Sequence, residues 1–479
     1  MPVRTSSGKG LYGSLTGKLQ STRAFTLPPL SQRTAKLLVM LPLALAIFAF
    51  VLFLSERPDP VPKLAETGLL DEREFMMEID RTARLEDARS RVGGRRTGGE
   101  YVQRRVDRVT KRKVPTVGFE NGVEWLPPTE EELHTNKTKV AFMVTTAEHP
   151  DQIILWMSYH RAIGVSFFYL FTEGIANTPD SIERLSAEPG VSIIPRDKNL
   201  TDAHANSHAW QENWLSAFFN KPCNHELFVK QSLNMEIGIV FAREDKADWI
   251  LHIDTDELIY PAGSKSFSLV EVLDEVPESM DTLVFPNYES LAESADVQAP
   301  FMEVTLFKKN YAHVNTAEYF ANYGRVQRSN PNYFTTYGNG KSAARVVDGL
   351  RPNGAHRWYN YYKKPEEMSA GQSSVLHYTY NRFSDLKSRR DRCDCAPTKE
   401  EVAKCFILDF DRLAFMEASL RTDDELMDFF KERLVWDNEK DVNELMQKGL
   451  FARLYEPQLM LRGIKQSLIA KGKINESNL

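Results

Sequence analysis

From Lys139 onward the chain alternates short apolar runs with stretches of helical character, and this alternation restricts the fold more than any other feature. Val140–Thr145 (VAFMVT) reads as a buried strand, and Pro150 suits the first turn of a helix running to about Ala162. Ser166–Phe171 is a second strand, a short helix covers about Ser181–Leu185, and Val191–Ile194 is a third strand. A long amphipathic helix, about Glu226–Arg243, then leads into a strand at Trp249–Ile253. Strands separated by helical crossovers pair in parallel, so the pattern predicts an α/β, Rossmann-like domain: a mostly parallel sheet with helices on both faces. In such open sheets ligands lie beyond the carboxyl ends of the strands, and the chemistry is sought there.

The flanking segments differ in character. Leu37–Leu54 is an uncharged apolar run of eighteen residues, which at about 1.5 Å each is close to the thickness of a bilayer core. It is longer and farther from the start than a cleavable signal region, and reads as a transmembrane signal anchor. Residues 1–36 carry Arg4, Lys9, Lys18, Arg23, Arg33 and Lys36 and no acid. The positive-inside rule keeps this tail cytosolic and sends the rest across, a single-pass type II arrangement. Residues 55–137, rich in Arg, Glu, Gly and Pro, read as a largely disordered stem. The predicted catalytic domain spans 138–398, followed by a helical extension at 399–479 with amphipathic stretches at Asp409–Leu420 and Asp423–Leu434. Sequons at Asn136, Asn199 and Asn475 agree with a lumenal placement.

The chain holds four cysteines. Cys393 and Cys395 are too close to pair with each other, so Cys405 is expected to take one of them, leaving Cys223 for the other; a zinc site is the alternative. A net charge of −6 argues against nucleic acid as the partner, and 42% hydrophobic content supports a large core.

The strand at Trp249–Ile253 runs into Asp254-Thr-Asp256-Glu257, three carboxylates in four residues. Like charges this close raise one another's pKa unless a cation intervenes. Mg²⁺ or Mn²⁺ bridges carboxylates to substrate phosphates, so Asp254 and Asp256 are expected to place the ion on a diphosphate leaving group. An aspartyl phosphatase shares the Asp-x-Asp pattern, but there the pair follows the first strand, and Leu258 stands where Thr or Val is usual.

Thr145, Thr146 and Glu148 follow the first strand, where a nucleotide base and ribose would lie. Lys230 and Asn234 share one face of the long helix, beside Gln231. Lys341, after the Gly338-Asn-Gly340 turn, is expected near the acceptor or the diphosphate. His377 and His356 are candidates for a further metal ligand, and Glu289 for the base that an inverting reaction requires.

Several strings taken together resemble a known family. Trp249-Ile-Leu-His-Ile-Asp-Thr-Asp-Glu-Leu-Ile259, Lys221-Pro-Cys-Asn-His-Glu-Leu-Phe-Val-Lys-Gln-Ser-Leu-Asn-Met235, Phe285-Pro-Asn-Tyr-Glu-Ser290, Asn332-Tyr-Phe-Thr-Thr-Tyr-Gly-Asn-Gly-Lys341, Arg351-Pro-Asn-Gly-Ala-His-Arg-Trp358 and Ser388-Arg-Arg-Asp-Arg-Cys393 look like the Kobito-type glycosyltransferase-like proteins of plants. The similarity covers about residues 138–455. It implies a GT-A fold, type II topology and a role in cell-wall deposition, including cellulose, during elongation. The family name supplies neither donor nor acceptor, but the likeness to the wider GT-A class implies Asp254 and Asp256 as metal ligands completed by His377, with His356 behind it. The expected reaction moves a sugar from a nucleotide-sugar donor to a glycan or glycoconjugate acceptor, at a Golgi membrane or the plasma membrane. The competing reading is a non-catalytic GT-A-folded scaffold or regulator of wall-polysaccharide assembly.

Overall fold

The computed structural model describes residues 138–328, 330, 340–391 and 395–479. The basic tail, the apolar run at 37–54, the stem, Asn136 and Cys393 lie outside them. Among the described residues no helix is long and apolar enough to cross a membrane.

The alternating units fold as the sequence predicts, with ends shifted by a residue or two. β1 (Val140–Thr146), α1 (Pro150–Ala162), β2 (Val165–Thr172), α2 (Pro179–Ser186), β3 (Val191–Pro195), α3 (Asn224–Glu244) and β4 (Trp249–His252) follow in order. α1 starts where it does because Pro150 sits in its first turn and the His149 ring accepts a bond from Asp151 N–H. β1 pairs in parallel with β2 and β4, and β2 with β3. Side chains alternate across β1. Val140, Phe142 and Val144 face the cluster that includes Trp156 and Tyr159 of α1. Ala141 and Met143 face Met235 and Phe241 of α3. Both faces are therefore dry, which explains the unbroken apolar run. Gly238 lets α3 close onto this face, since a Cβ there would lie 2.8 Å from the Met143 sulfur.

The sheet is mixed. β6 (Thr282–Phe285), β9 (Lys341–Arg345) and β12 (Glu367–Ser369) extend it in the order β12-β6-β9-β4-β1-β2-β3, and β9 runs antiparallel to both β4 and β6, while β10 (Leu350–Pro352) and β11 (Trp358–Asn360) pair separately.

A second sheet, which the alternation does not announce, has the order β14-β8-β7-β13-β5. Its strands are β5 (Glu257–Tyr260), β7 (Asn287–Ser290), β8 (Leu306–Lys308), β13 (Ser374–His377) and β14 (Phe451–Arg453). α1 ties the two sheets together: Trp156 Nε1 donates to Glu257 O at 2.8 Å, and Tyr159 OH donates to Ile259 O at 2.8 Å. Buried indole and phenol donors are satisfied in this way while their rings fill the core.

The region after residue 398 is helical, with α4 (Asp409–Leu420), α5 (Asp423–Arg433), α6 (Glu439–Gln447) and α7 (Glu456–Ala470). It is built into the domain, however, because β14 pairs with β8 and α7 packs against α1. Cys395 and Cys405 form a disulfide, so Cys405 does take one member of the pair. The Cys223 sulfur lies 3.9 Å from that of Cys395. Two of these three clustered sulfurs are already covalently joined, which sets the zinc reading aside.

Candidate functional site

The acidic turn stands where the two sheets meet. β4 ends at His252, and β5 begins at Glu257, so residues 253–256 carry the chain from one sheet to the other. The turn is fixed by reciprocal bonds: Glu257 N donates to Asp254 O at 3.1 Å, and Asp254 N donates to Glu257 Oε2 at 3.0 Å. Asp254 is partly exposed, but both of its oxygens are engaged. Its Oδ1 accepts from Gln231 Nε2 at 2.8 Å, and its Oδ2 accepts from Lys341 Nζ at 2.6 Å. Lys341 Nζ also lies 3.3 Å from Glu257 Oε2 and is only 1% exposed. Asp256, in contrast, is 51% exposed, with Oδ2 3.6 Å from His377 Nε2.

Pairing in the second sheet lines up a charged row. His377 stands opposite Glu257 of β5 on one side and Glu289 of β7 on the other, and Glu289 stands opposite Lys308 of β8. Directly opposed residues share a face, so Glu257, His377, Glu289 and Lys308 form an alternating acid–base row. All four are buried. Glu289 Oε2 is 3.0 Å from His377 Nδ1, and Glu289 Oε1 accepts from Asn287 Nδ2 at 2.5 Å. Lys308 Nζ donates to Tyr319 OH at 3.2 Å.

Electrostatics follow from this placement. Burial works against a charge on Lys341, but Asp254 and Glu257 hold its pKa above the usual lysine range. Asp254 would be raised by burial, and Lys341 and His252 bring it well below the carboxylate range instead. Burial pushes Glu257 up to about 7 despite Lys341, with Asp254 adding to the rise. Burial disfavours a charged His377, yet Glu289 and Asp256 raise its pKa well above the ordinary histidine value. Lys308 is brought down to about 8 by burial.

The other residues singled out from sequence fall into two groups. Asn234 Nδ2 donates to Thr145 Oγ1 at 2.8 Å, and its Oδ1 lies 2.8 Å from His204 Nε2, so the ends of β1 and α3 are joined. Gln231, not Lys230, reaches the acidic turn; Lys230 pairs with Glu226 at 2.8 Å and lies 3.6 Å from Glu173. His356 Nδ1 is 2.8 Å from Gly340 O, and burial beside Lys341 takes its pKa to about 3. The charges acting on it are those of Lys341, Asp254 and Arg357, so it belongs to the inner cluster and not to the Asp256–His377 pair.

Glu289 requires a correction. It is 1% exposed and both of its oxygens are engaged, one by Asn287 and one by His377, so it is not open to an acceptor hydroxyl as a base. Lys341, expected near the acceptor or the diphosphate, is buried and stands at the acidic turn, bonded to Asp254. Sequence reasoning passed over Lys308 and Tyr319, whose only signal was a lysine within a short apolar run, Leu306-Phe-Lys308. Of the sequons, Asn199 and Asn475 are both exposed.

A cleft opens on the Asp256 side. Its lining includes Glu148, Asp256, Phe301, Tyr378, Arg382 and Lys465. Behind Asp256 stands the buried His377, and an accessible carboxylate beside an imidazole whose other nitrogen faces a buried carboxylate is a donor set that suits a divalent cation. Such an arrangement fixes the ring orientation and strengthens the ligand.

The chain matches Glycosyltransferase family 92 over residues 140–403, which includes the acidic turn and His377. It is also similar to two Arabidopsis thaliana proteins described as glycosyltransferase-like. One is 42% identical over 462 residues, covering 96% of this chain and 86% of the relative. The other is 46% identical over 343 residues, covering 72% of this chain and 76% of the relative. The α/β architecture with its mixed sheets is consistent with a GT-A fold, and the chain belongs to glycosyltransferase family 92.

Proposed function

We propose that this protein is a metal-dependent glycosyltransferase that moves a sugar from a nucleotide-sugar donor to a glycan or glycoconjugate. The observation that carries this reading is the pairing of Asp256, which lines the cleft, with the buried His377, backed by Glu289. Asp256 and His377 would hold Mn²⁺ or Mg²⁺, whose charge offsets that developing on the departing diphosphate. Glu289 orients the His377 ring so that Nε2 is directed to Asp256. His377 must give up a proton to act as a ligand, so acid pH competes with the cation there. Thr145, Asn234 and Glu148, placed around the end of β1, form the donor side. The resemblance to Kobito-type plant proteins supports a role in cell-wall and cellulose deposition. The basic tail and apolar run support a type II anchor in the Golgi or plasma membrane, with the catalytic domain lumenal.

The test is a thermal-shift screen of the full-length protein in detergent micelles against nucleotide sugars, with Mn²⁺ and with chelator. A ligand at about 100 times its Kd stabilises the native state by about 2.7 kcal/mol. Stabilisation by one nucleotide series that requires Mn²⁺ and is lost in Asp256→Asn identifies the donor class. Well-folded protein that responds to none of them points to the scaffold reading instead.

A further inference from the structure

Asp254 opens the acidic pair, yet both of its oxygens are engaged within the protein, by Gln231 and by Lys341. Lys341 has little freedom to leave. It lies on β9, in register with Phe285 of β6. The residue before it, Gly340, has φ +57°, and a Cβ there would collide with the Phe285 carbonyl. His356 Nδ1 is 2.8 Å from the carbonyl of the same glycine. Swinging the ammonium out toward a phosphate would strip the counter-charge from buried Glu257 and from the partly exposed Asp254, a cost that falls mainly on the buried group. Asp256 faces the cleft and is the half-exposed member of the pair.

We propose that Lys341 is a positioning residue, a built-in cation that claims Asp254 and leaves Asp256 with His377 to bind the divalent ion. The proposal rests on the metal-dependent reading given above. Its consequence is a site with a single carboxylate ligand. Affinity for hard cations follows the number of charged ligands, so such a site holds its ion loosely and exchanges it readily. The two aspartates, alike in sequence, thus differ in role: one secures the floor of the site, the other meets the ion.

Mn²⁺ binding, read by electron paramagnetic resonance of the free ion, separates these roles in the full-length protein. Relative to wild type, Asp256→Asn is expected to bind about tenfold or more weakly, and Asp254→Asn to stay within about threefold. Lys341→Met releases a carboxylate beside the site and is expected to bind about tenfold more tightly, which a merely structural lysine would not do. Asp254→Asn as weak as Asp256→Asn overturns the proposal, as does a folded Lys341→Met protein that binds no more tightly than wild type. Where Lys341→Met does not fold, the comparison of the two aspartate variants decides. Wild type that binds no Mn²⁺ overturns the metal reading itself. In that event Lys341→Met that gains Mn²⁺ binding upholds the role given to Lys341, and one that does not overturns it.

Discussion

His377 and Glu289 stand in register on two parallel strands, with the histidine Nδ1 3.0 Å from the glutamate Oε2. The ring is thereby held between a buried carboxylate and an accessible one, Asp256, 3.6 Å from Nε2. Outer partners of this kind are worth about 10–100-fold in metal affinity. Glu289→Ala is therefore expected to weaken Mn²⁺ binding by about that factor, with Glu289→Gln, which keeps the shape, losing less. Titration of the purified variants checks it, and equal affinity for Glu289→Ala and wild type would show that Glu289 does not orient the ring.

Gly340→Ala is expected to be severe. The residue adopts φ +57° against the Phe285 carbonyl, so a methyl group meets both backbone strain and a collision. Strain of this type alone costs about 1–3 kcal/mol. Because Lys341 follows directly, the damage extends to the Asp254 pairing, and a Tm several degrees below wild type is anticipated by calorimetry.

Acid is expected to destabilise the fold through buried imidazoles. His160 accepts from Ile259 N at 3.2 Å with one nitrogen, and its other nitrogen is 3.0 Å from Trp156 O. Burial takes its pKa down to about 3. The unfolded chain protonates near the ordinary value, about 6.5, so between these limits it binds more protons than the native state and stability falls as pH falls. The slope from this one residue reaches about 1.4 kcal/mol per pH unit. Urea unfolding at pH 7, 6 and 5 checks it, with His160→Gln expected to give a flatter profile. Parallel profiles for the two proteins would exclude His160 as the source.

Asp151 anchors the end of the chain. It is 1% exposed, pairs with Arg184, and accepts from Asn475 N at 3.1 Å and from Asn478 Nδ2 at 2.7 Å. Breaking a buried charged network from one side costs about 3–5 kcal/mol. Asp151→Ala is expected to lose an amount of that order and to open residues 473–479 to limited proteolysis. An intact tail under protease would mean that the burial of Ile474 is sufficient to hold it.

The first sheet was legible because its central strands are dry on both faces, and Val140–Thr146 or Val165–Thr172 can hardly be anything else. The second sheet was not. Its strands have three or four residues, too few for a period to emerge, and several of their buried positions are Glu257, Glu289, Lys308 and His377, which propensity places at the surface. The acidic turn was visible as charge next to an apolar strand. The burial of Lys341 was not visible in the same way, because it depends on the arrival of β9 between β4 and β6, which no local pattern announces. Glu289 could be picked out as important, but its orientation depends on a pairing with β13, almost ninety residues later.

The pairing of β14 with β8 carries a consequence for biosynthesis. β8, which bears Lys308 at the end of the charged row, finds its outer neighbour only at Phe451–Arg453. During synthesis some 140 residues must follow β8 before that edge can be covered. A nascent chain, or one cut short by a premature stop before Phe451, would present an open strand edge beside a half-assembled site, the kind of surface that recruits chaperones and invites aggregation. Truncated alleles of this gene are therefore expected to behave as losses of the whole domain, cleared by quality control, and not as enzymes trimmed of an appendage.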